Sequence, residues 1–166
     1  MEARVRKGID IEDVVKEINW QDFEGIVSEA FSVNGFRSFR NFRFSSNKKR
    51  YEVDVVAISK PRIILVDCKH WGLRLGKPSA LRLAATAQVN REKEFCKKLQ
   101  EFDSLHVEDW AEATVIPALI TLYQERVTQS DGAMIVPVFK LNSFIEEMRN
   151  GFFDSTSVKI PHLAKW

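Results

Sequence analysis

The chain has 166 residues, 45% of them hydrophobic and 29% charged, with a formal net charge of +2, a balance that fits a globular domain with its own core and excludes disordered and repeat classes. No apolar run approaches the ~20 residues that a membrane helix needs and no signal-like leader is visible, so a cytoplasmic location with no membrane partner is expected. Cys68 and Cys96 form neither a disulfide framework nor a zinc-spaced cluster, and so mild a net charge leaves nucleic-acid binding to be judged from local clustering.

Residues 1–8 are polar and basic. From Asp10, a cap candidate, Ile11, Val14, Val15 and Ile18 take the spacing of a short amphipathic helix. Asn19 can cap a second helix, with Asp22 in its first turn. At 100° per residue Trp20, Phe23, Val27, Ala30 and Phe31 form one stripe, and Glu24 falls inside it while Glu29 faces away. An ionised carboxylate among apolar neighbours needs a partner. Glu24 either reaches water or a rim arginine, or joins a charged site elsewhere. Asn34-Gly35 reads as the helix stop.

Phe36 to Phe44 reads as a first strand, aromatic and studded with Arg37, Arg40 and Arg43. The turn that follows adds Lys48, Lys49 and Arg50, completing the densest basic cluster in the chain. Such a cluster is either a DNA-binding surface that holds phosphates or a solvated hairpin tip.

Tyr51 to Trp71 reads as two strands joined by a tight turn, and the rest of the chain is organised around it. Alternation places Ile63, Leu65, Asp67 and Lys69 on one face and Ile64, Val66 and Cys68 on the other; in the preceding strand Glu52, Asp54, Val56 and Ile58 share a face. Pairing the strands brings Asp54 beside Asp67, with Lys69 nearby. Two carboxylates and the backbone carbonyl of Cys68 suit an open Mg²⁺ or Mn²⁺ site, and Lys69 can orient water or stabilise developing negative charge. The plainer alternative is a strand-end salt bridge. Against it, the apolar run Ile63–Val66 marks a strand buried on both faces, and charge at its end needs a reason.

His70 alternates away from Lys69, toward a structural or substrate-edge role. A loop carrying Arg74 and Lys77, candidates for weak phosphate contacts, precedes a long helix from about Ala80 to Phe102. Gln88 and Glu92 interrupt the apolar stripe of that helix. A structural hydrogen-bonding role is expected for them, with an approach of Gln88 to the site as the sharper reading. Val115–Tyr123 and Ala133–Phe139 read as buried strands, and Leu141, Phe144, Ile145 and Met148 as a last helix ending at Asn150-Gly151. Residues 152–166 receive no assignment.

Asp54 followed by Asp67-Cys68-Lys69 after a hydrophobic strand resembles the PD-(D/E)xK nuclease signature. The flanking VDCKHW, Phe23-Glu24 on the first core helix and Gly35-Phe36 resemble the Mrr-like and archaeal Holliday-junction-resolvase branch. Val53 stands where the family usually has proline and Asp67 where glutamate is commoner. The Gln-x-x-x-Tyr motif of RecB-like relatives is absent, since Glu92 occupies the tyrosine position. The resemblance covers roughly residues 20 to 149. It implies an α/β restriction-endonuclease-like core in αβββαββα order with one extra N-terminal helix, built on a central mixed sheet of about five strands flanked by helices.

The expected organisation is one domain: an extension over 1–18, a core over 19–149 and a tail over 150–166. The resemblance implies a Mg²⁺- or Mn²⁺-dependent DNA endonuclease in which Glu24, Asp54 and Asp67 hold metal and Lys69 acts on the nucleophile or transition state, with Gln88 and His70 as accessory candidates. For the resolvase branch it also implies a homodimer. Two other readings stay open: a catalytically silent module of the same fold that binds DNA or protein, and a structural subunit that docks another chain on its Gln88/Glu92 face.

Overall fold

The computed structural model describes residues 19–70, 78–122, 128–130, 132–151 and 158–161. The expected helix over 10–18 and the loop with Arg74 and Lys77 lie outside them. Helix α1 spans Trp20–Val33, followed by strands β1 (Arg37–Ser46), β2 (Lys49–Ser59) and β3 (Arg62–Lys69). Helix α2 (Pro78–Lys98) leads through a 3₁₀ turn at Leu99–Glu101 and another at Asp103–Leu105 to β4 (Glu112–Thr121), β5 (Gln129–Ser130) and β6 (Ala133–Pro137). Helix α3 (Leu141–Arg149) and strand β7 (Val158–Pro161) complete the order.

Local chemistry sets the ends of α1. The Asn19 side chain accepts the Asp22 N–H at 2.9 Å, as an N-cap does. At the other end the Phe36 N–H donates to the Phe31 carbonyl and the Gly35 N–H to the Ser32 carbonyl, while Gly35 takes φ +86°. This is a Schellman stop, sealed by the edge-to-face contact of Phe31 with Phe36 at 5.4 Å. The buried stripe of α1 runs through Phe23, Ile26, Val27, Ala30 and Phe31. Trp20, expected in that stripe, is 54% exposed because the helix leaves the sheet before its first residue.

The sheet runs β1-β2-β3-β4-β6-β5, with β7 on β4. It is mixed: β1, β2 and β3 are antiparallel neighbours, β3, β4 and β6 run parallel, and β5 and β7 are antiparallel additions. The two-residue β5 and the C-terminal β7 exceed the expected strand set, and β7 places Val158–Pro161 of the unassigned tail in the sheet. The edge of β4 away from β3 is divided between β7, along Glu112–Val115, and β6, along Ala118–Thr121. Pro117 lies in the gap between them, where its missing N–H costs no ladder bond.

Both faces of the sheet are covered. On one, Phe23, Val27 and Phe31 of α1 and Phe144, Ile145 and Met148 of α3 pack on Val55, Ile64, Val66 and Ile120. On the other, Phe95 and Leu99 meet Val56, Ile58, Ile63 and Leu65, and Leu81 and Ala85 of α2 meet Leu119. Ile63 to Val66 are 0% exposed and alternate between these layers as expected. At ~1.5–3 kcal/mol for each fully buried large aliphatic side chain, this run anchors β3 firmly enough to hold charges at its end.

Candidate active site

The β2–β3 ladder ends at the pair Val55 and Val66. Asp54 and Asp67 are the next residues along, where the two strands part. The Cys68 N–H then donates to Asp54 Oδ2 at 2.8 Å, so a side chain takes over from the ladder. On the other side of β2, the pairs Arg40–Val55 and Phe42–Val53 pass over Asn41 and Asp54, and Asn41 takes φ +50°. Val53 and Val56, three residues apart, both join the α2-side core. Strict alternation would send them to opposite faces, so it slips beside Asp54.

This slip corrects one expectation. Val56 and Ile58 share the α2 face, whereas Glu52 acts electrostatically on Glu24 of α1. Beyond the slip the hairpin folds over the C-terminal half of α2. There Phe42 and Phe44 lie 5.9 and 5.8 Å from the Phe95 ring.

Asp67 is 7% exposed, and its Oδ2 lies 2.8 Å from Lys69 Nζ, the shared face that alternation predicts. Burial pushes the Asp54 carboxyl up to about 7, aided by the charge of Asp67, a side-chain hydrogen bond with Asp67 and the charge of Glu24; the Cys68 N–H opposes the shift. Glu24 is 2% exposed. Burial raises its pKa as well; Arg40 opposes that, while Glu52 and Asp67 add to it. Arg40 Nη2 stands 3.9 Å from Glu24 Oε2 and donates to the Gln21 carbonyl at 2.8 Å. Glu24 therefore has both a rim arginine and the electrostatic company of Asp54 and Asp67.

Burial raises the Cys68 thiol well above its usual range, and Asp54, Asp67 and Glu24 raise it further. It stays protonated and packs against the α1-side core, which leaves only its backbone carbonyl to the site. The His70 ring meets Phe23 at 5.7 Å, on the side away from Lys69.

Gln88 is fully buried. Its amide donates to the Leu65 carbonyl at 2.8 Å and the Ala118 carbonyl at 3.4 Å, tying α2 to β3 two residues before Asp67. Arg91 donates to the Gln88 side-chain oxygen. Gln88 and Glu92 are both packed against the sheet, so their face is closed to a docking chain.

The basic cluster divides. Arg37 donates to the Leu105 carbonyl at 2.8 Å, Arg40 is engaged by α1, and Arg43 donates to Glu52 at 2.6 Å. Lys48, Lys49 and Arg50 are exposed at the hairpin tip. Sequence reasoning missed the cations that face Lys49 and Arg50 across a cleft, Arg91, Lys93 and Lys97 of α2. It also missed Glu94, which accepts from Ser46 Oγ at 2.5 Å, Asn47 Nδ2 at 3.1 Å and Lys97 Nζ at 2.7 Å. The charged run NREKEFCKK on an otherwise amphipathic helix was the available signal.

Among the described residues no group of three His, Cys, Asp or Glu side chains is arranged to hold a metal ion by itself. The donor chemistry nevertheless fits a hard divalent cation. A cation relieves the burial and neighbouring negative charge that raise Asp54, and Mg²⁺ takes one or two carboxylates with water and phosphate oxygens completing its shell.

The Mrr_cat family, described as restriction endonuclease, matches residues 15–99, slightly more than half of the chain. The chain belongs to this family. The match takes in α1, all three strands of the antiparallel half and all of α2, hence Glu24, Asp54, Asp67, Lys69 and Gln88. A relative of this Mrr-type chain, an uncharacterized protein of Archaeoglobus fulgidus, is 28% identical over 132 residues, covering 79% of this chain and 92% of its own. Two crystal structures are also similar. A protein of unknown function, AF1548, aligns with a TM-score of 0.49 at 17% identity, over 80% of this chain and 67% of that one. VC1899 from Vibrio cholerae aligns at 0.41 and 15% identity, over 80% of this chain and 33% of that one. Restriction-endonuclease-like proteins typically use divalent metals and act on DNA.

Proposed function

We propose that this chain is a Mg²⁺- or Mn²⁺-dependent DNA endonuclease that hydrolyses phosphodiester bonds, with residues 19–149 as its catalytic core. The observation that carries the reading is the meeting of Asp54 and Asp67 where β2 and β3 part, with the Lys69 ammonium 2.8 Å from Asp67. Asp54, Asp67 and the Cys68 carbonyl would hold the metal, with Glu24 at the edge of the shell. A bound divalent ion in such a site supplies an activated water and neutralises charge building on the phosphate.

The chain's own groups have distinct parts. Burial and the nearby charges of Asp67 and Glu24 oppose the ionisation of Asp54, and a bound cation would favour its charged form. Lys69, shared with Asp67, donates toward the attacking water or a phosphate oxygen and balances the added negative charge. Arg40 counters the charge of Glu24 and keeps that buried carboxylate usable. His70, turned toward Phe23, shapes the site's edge. A cytoplasmic location and a homodimer go with this reading, the latter through the resolvase-like branch.

The test is cleavage of supercoiled plasmid, linear duplex, single strand and a four-way junction in Mn²⁺, Mg²⁺ and EDTA. Metal-dependent cutting that disappears in Asp67→Ala is expected, and the preferred substrate separates a restriction-like from a resolvase-like role. Wild-type protein that binds DNA but cuts none of these substrates would establish the silent binding module in its place.

A further inference from the structure

The cleft between the β1–β2 hairpin and α2 is lined by Lys49 and Arg50 on the strand side and by Arg91, Lys93 and Lys97 on the helix side. Its two carboxylates are already engaged, Glu52 by Arg43 at 2.6 Å and Glu94 by Lys97, Ser46 and Asn47. Arg50 and Lys93 have no carboxylate partner among the described residues and are exposed. The cleft therefore offers a surplus of positive charge from opposite walls.

Both walls are fixed. Glu94 ties the hairpin tip to α2 through Ser46 and Asn47, and the two-residue turn Asn47-Lys48, with φ +51° and +63°, is of the tight type that keeps the strands in register. On the helix wall Arg91 is held by Gln88, itself bonded to carbonyls of β3 and β4. The cleft reaches Glu52, two residues along β2 from Asp54 and near enough to α1 to act electrostatically on Glu24.

We propose that this cleft seats the phosphodiester backbone of duplex DNA beside the reacting carboxylates, a contact surface formed jointly by the hairpin tip and the second half of α2. It rests on the nuclease reading, which supplies the polyanion. Cations spread over two walls suit a line of phosphates better than a single small anion, whose donors would converge on one point. The arginines of β1 take no part, being turned to Leu105, Gln21, Glu24 and Glu52. Sequence is not read here, since backbone contacts carry register and affinity only.

The test is fluorescence anisotropy of a labelled 20-base-pair duplex in EDTA, with wild type and Arg50→Ala/Lys93→Ala compared across a salt series. Each phosphate contact contributes about 0.9 to the slope of log affinity against log salt. Loss of two contacts lowers that slope by about 1.8 and weakens binding roughly 60-fold at 0.1 M salt. Unchanged affinity and slope would overturn the proposal. So would weaker binding with the wild-type slope, which signals structural damage instead of lost contacts. Cleavage of the same duplex in Mn²⁺ is read separately. A wild type that never cuts, paired with the expected slope change in the double variant, refutes the nuclease and leaves the cleft standing; a double variant that binds like a cutting wild type refutes the cleft alone.

Discussion

Replacing Asp54 by Asn should make the metal-free protein more stable at alkaline pH. Its carboxyl is raised from 3.8 to about 7, so the folded state binds that proton more tightly than the unfolded state does. The stabilisation from the bound proton is complete below about pH 4 and is lost as pH rises through about 7. At 1.36 kcal/mol per unit the loss is about 4 kcal/mol. Asn carries no charge and still offers an oxygen to the Cys68 N–H. In EDTA, urea unfolding should therefore find Asp54→Asn about 2–4 kcal/mol more stable than wild type at pH 8, with the gap closing toward pH 4. Adding Mg²⁺ or Mn²⁺ should narrow the gap at pH 8 by stabilising only the wild type. An Asn variant that is no more stable at pH 8, or a gap that persists at pH 4, refutes the inference that burial and neighbouring charge oppose the ionisation of Asp54.

Three further outcomes follow from the geometry. Lys69→Ala should fold normally and lose about 10²–10³-fold in cleavage rate, the scale for removing one preorganised donor; a variant that cuts at the wild-type rate removes Lys69 from the mechanism. Gln88→Leu takes the amide donor away from the Leu65 and Ala118 carbonyls and should cost about 1–3 kcal/mol in urea unfolding. A neutral result would mean that the β3–β4 ladder satisfies those carbonyls alone. Glu94→Ala releases Ser46 and Asn47, and amide hydrogen exchange around the hairpin tip should quicken while exchange in β3 stays slow. Equal acceleration in both places would show that Glu94 supports the whole fold and not the tip.

Periodicity and motif spacing made the central strands and helices legible, because β3, β4, α1 and α3 are each patterned by the layer they bury. The pairing of Asp67 with Lys69 followed from alternation alone. What alternation could not reveal was the place where it fails. The slip beside Asp54 lies opposite Asn41 of the neighbouring strand, and no local pattern in β2 announces it. Glu24 could be flagged as a misplaced charge, but its arginine partner, Arg40, comes from β1, sixteen residues onward and in no fixed register with the helix. The cations of α2 were hidden for a similar reason: a charged run on a helix looks solvated until a hairpin folds over it. Strand β7 is only four residues long, too short to carry a period of its own.

The divided outer edge of β4 bears on how the chain comes together in time. A polypeptide made from its N-terminus onward holds Glu24, Asp54, Asp67, Lys69 and all three described helices by the time Gly151 has been added. At that stage β7, the described partner of Glu112–Val115 on this edge, has yet to be added. Their peptide groups face outward as an open border beneath the deepest strand of the sheet, the kind of border that recruits other chains. Val158–Pro161 closes it last. A chain cut short of that segment would keep the candidate site and lose its solitude, failing by association with copies of itself.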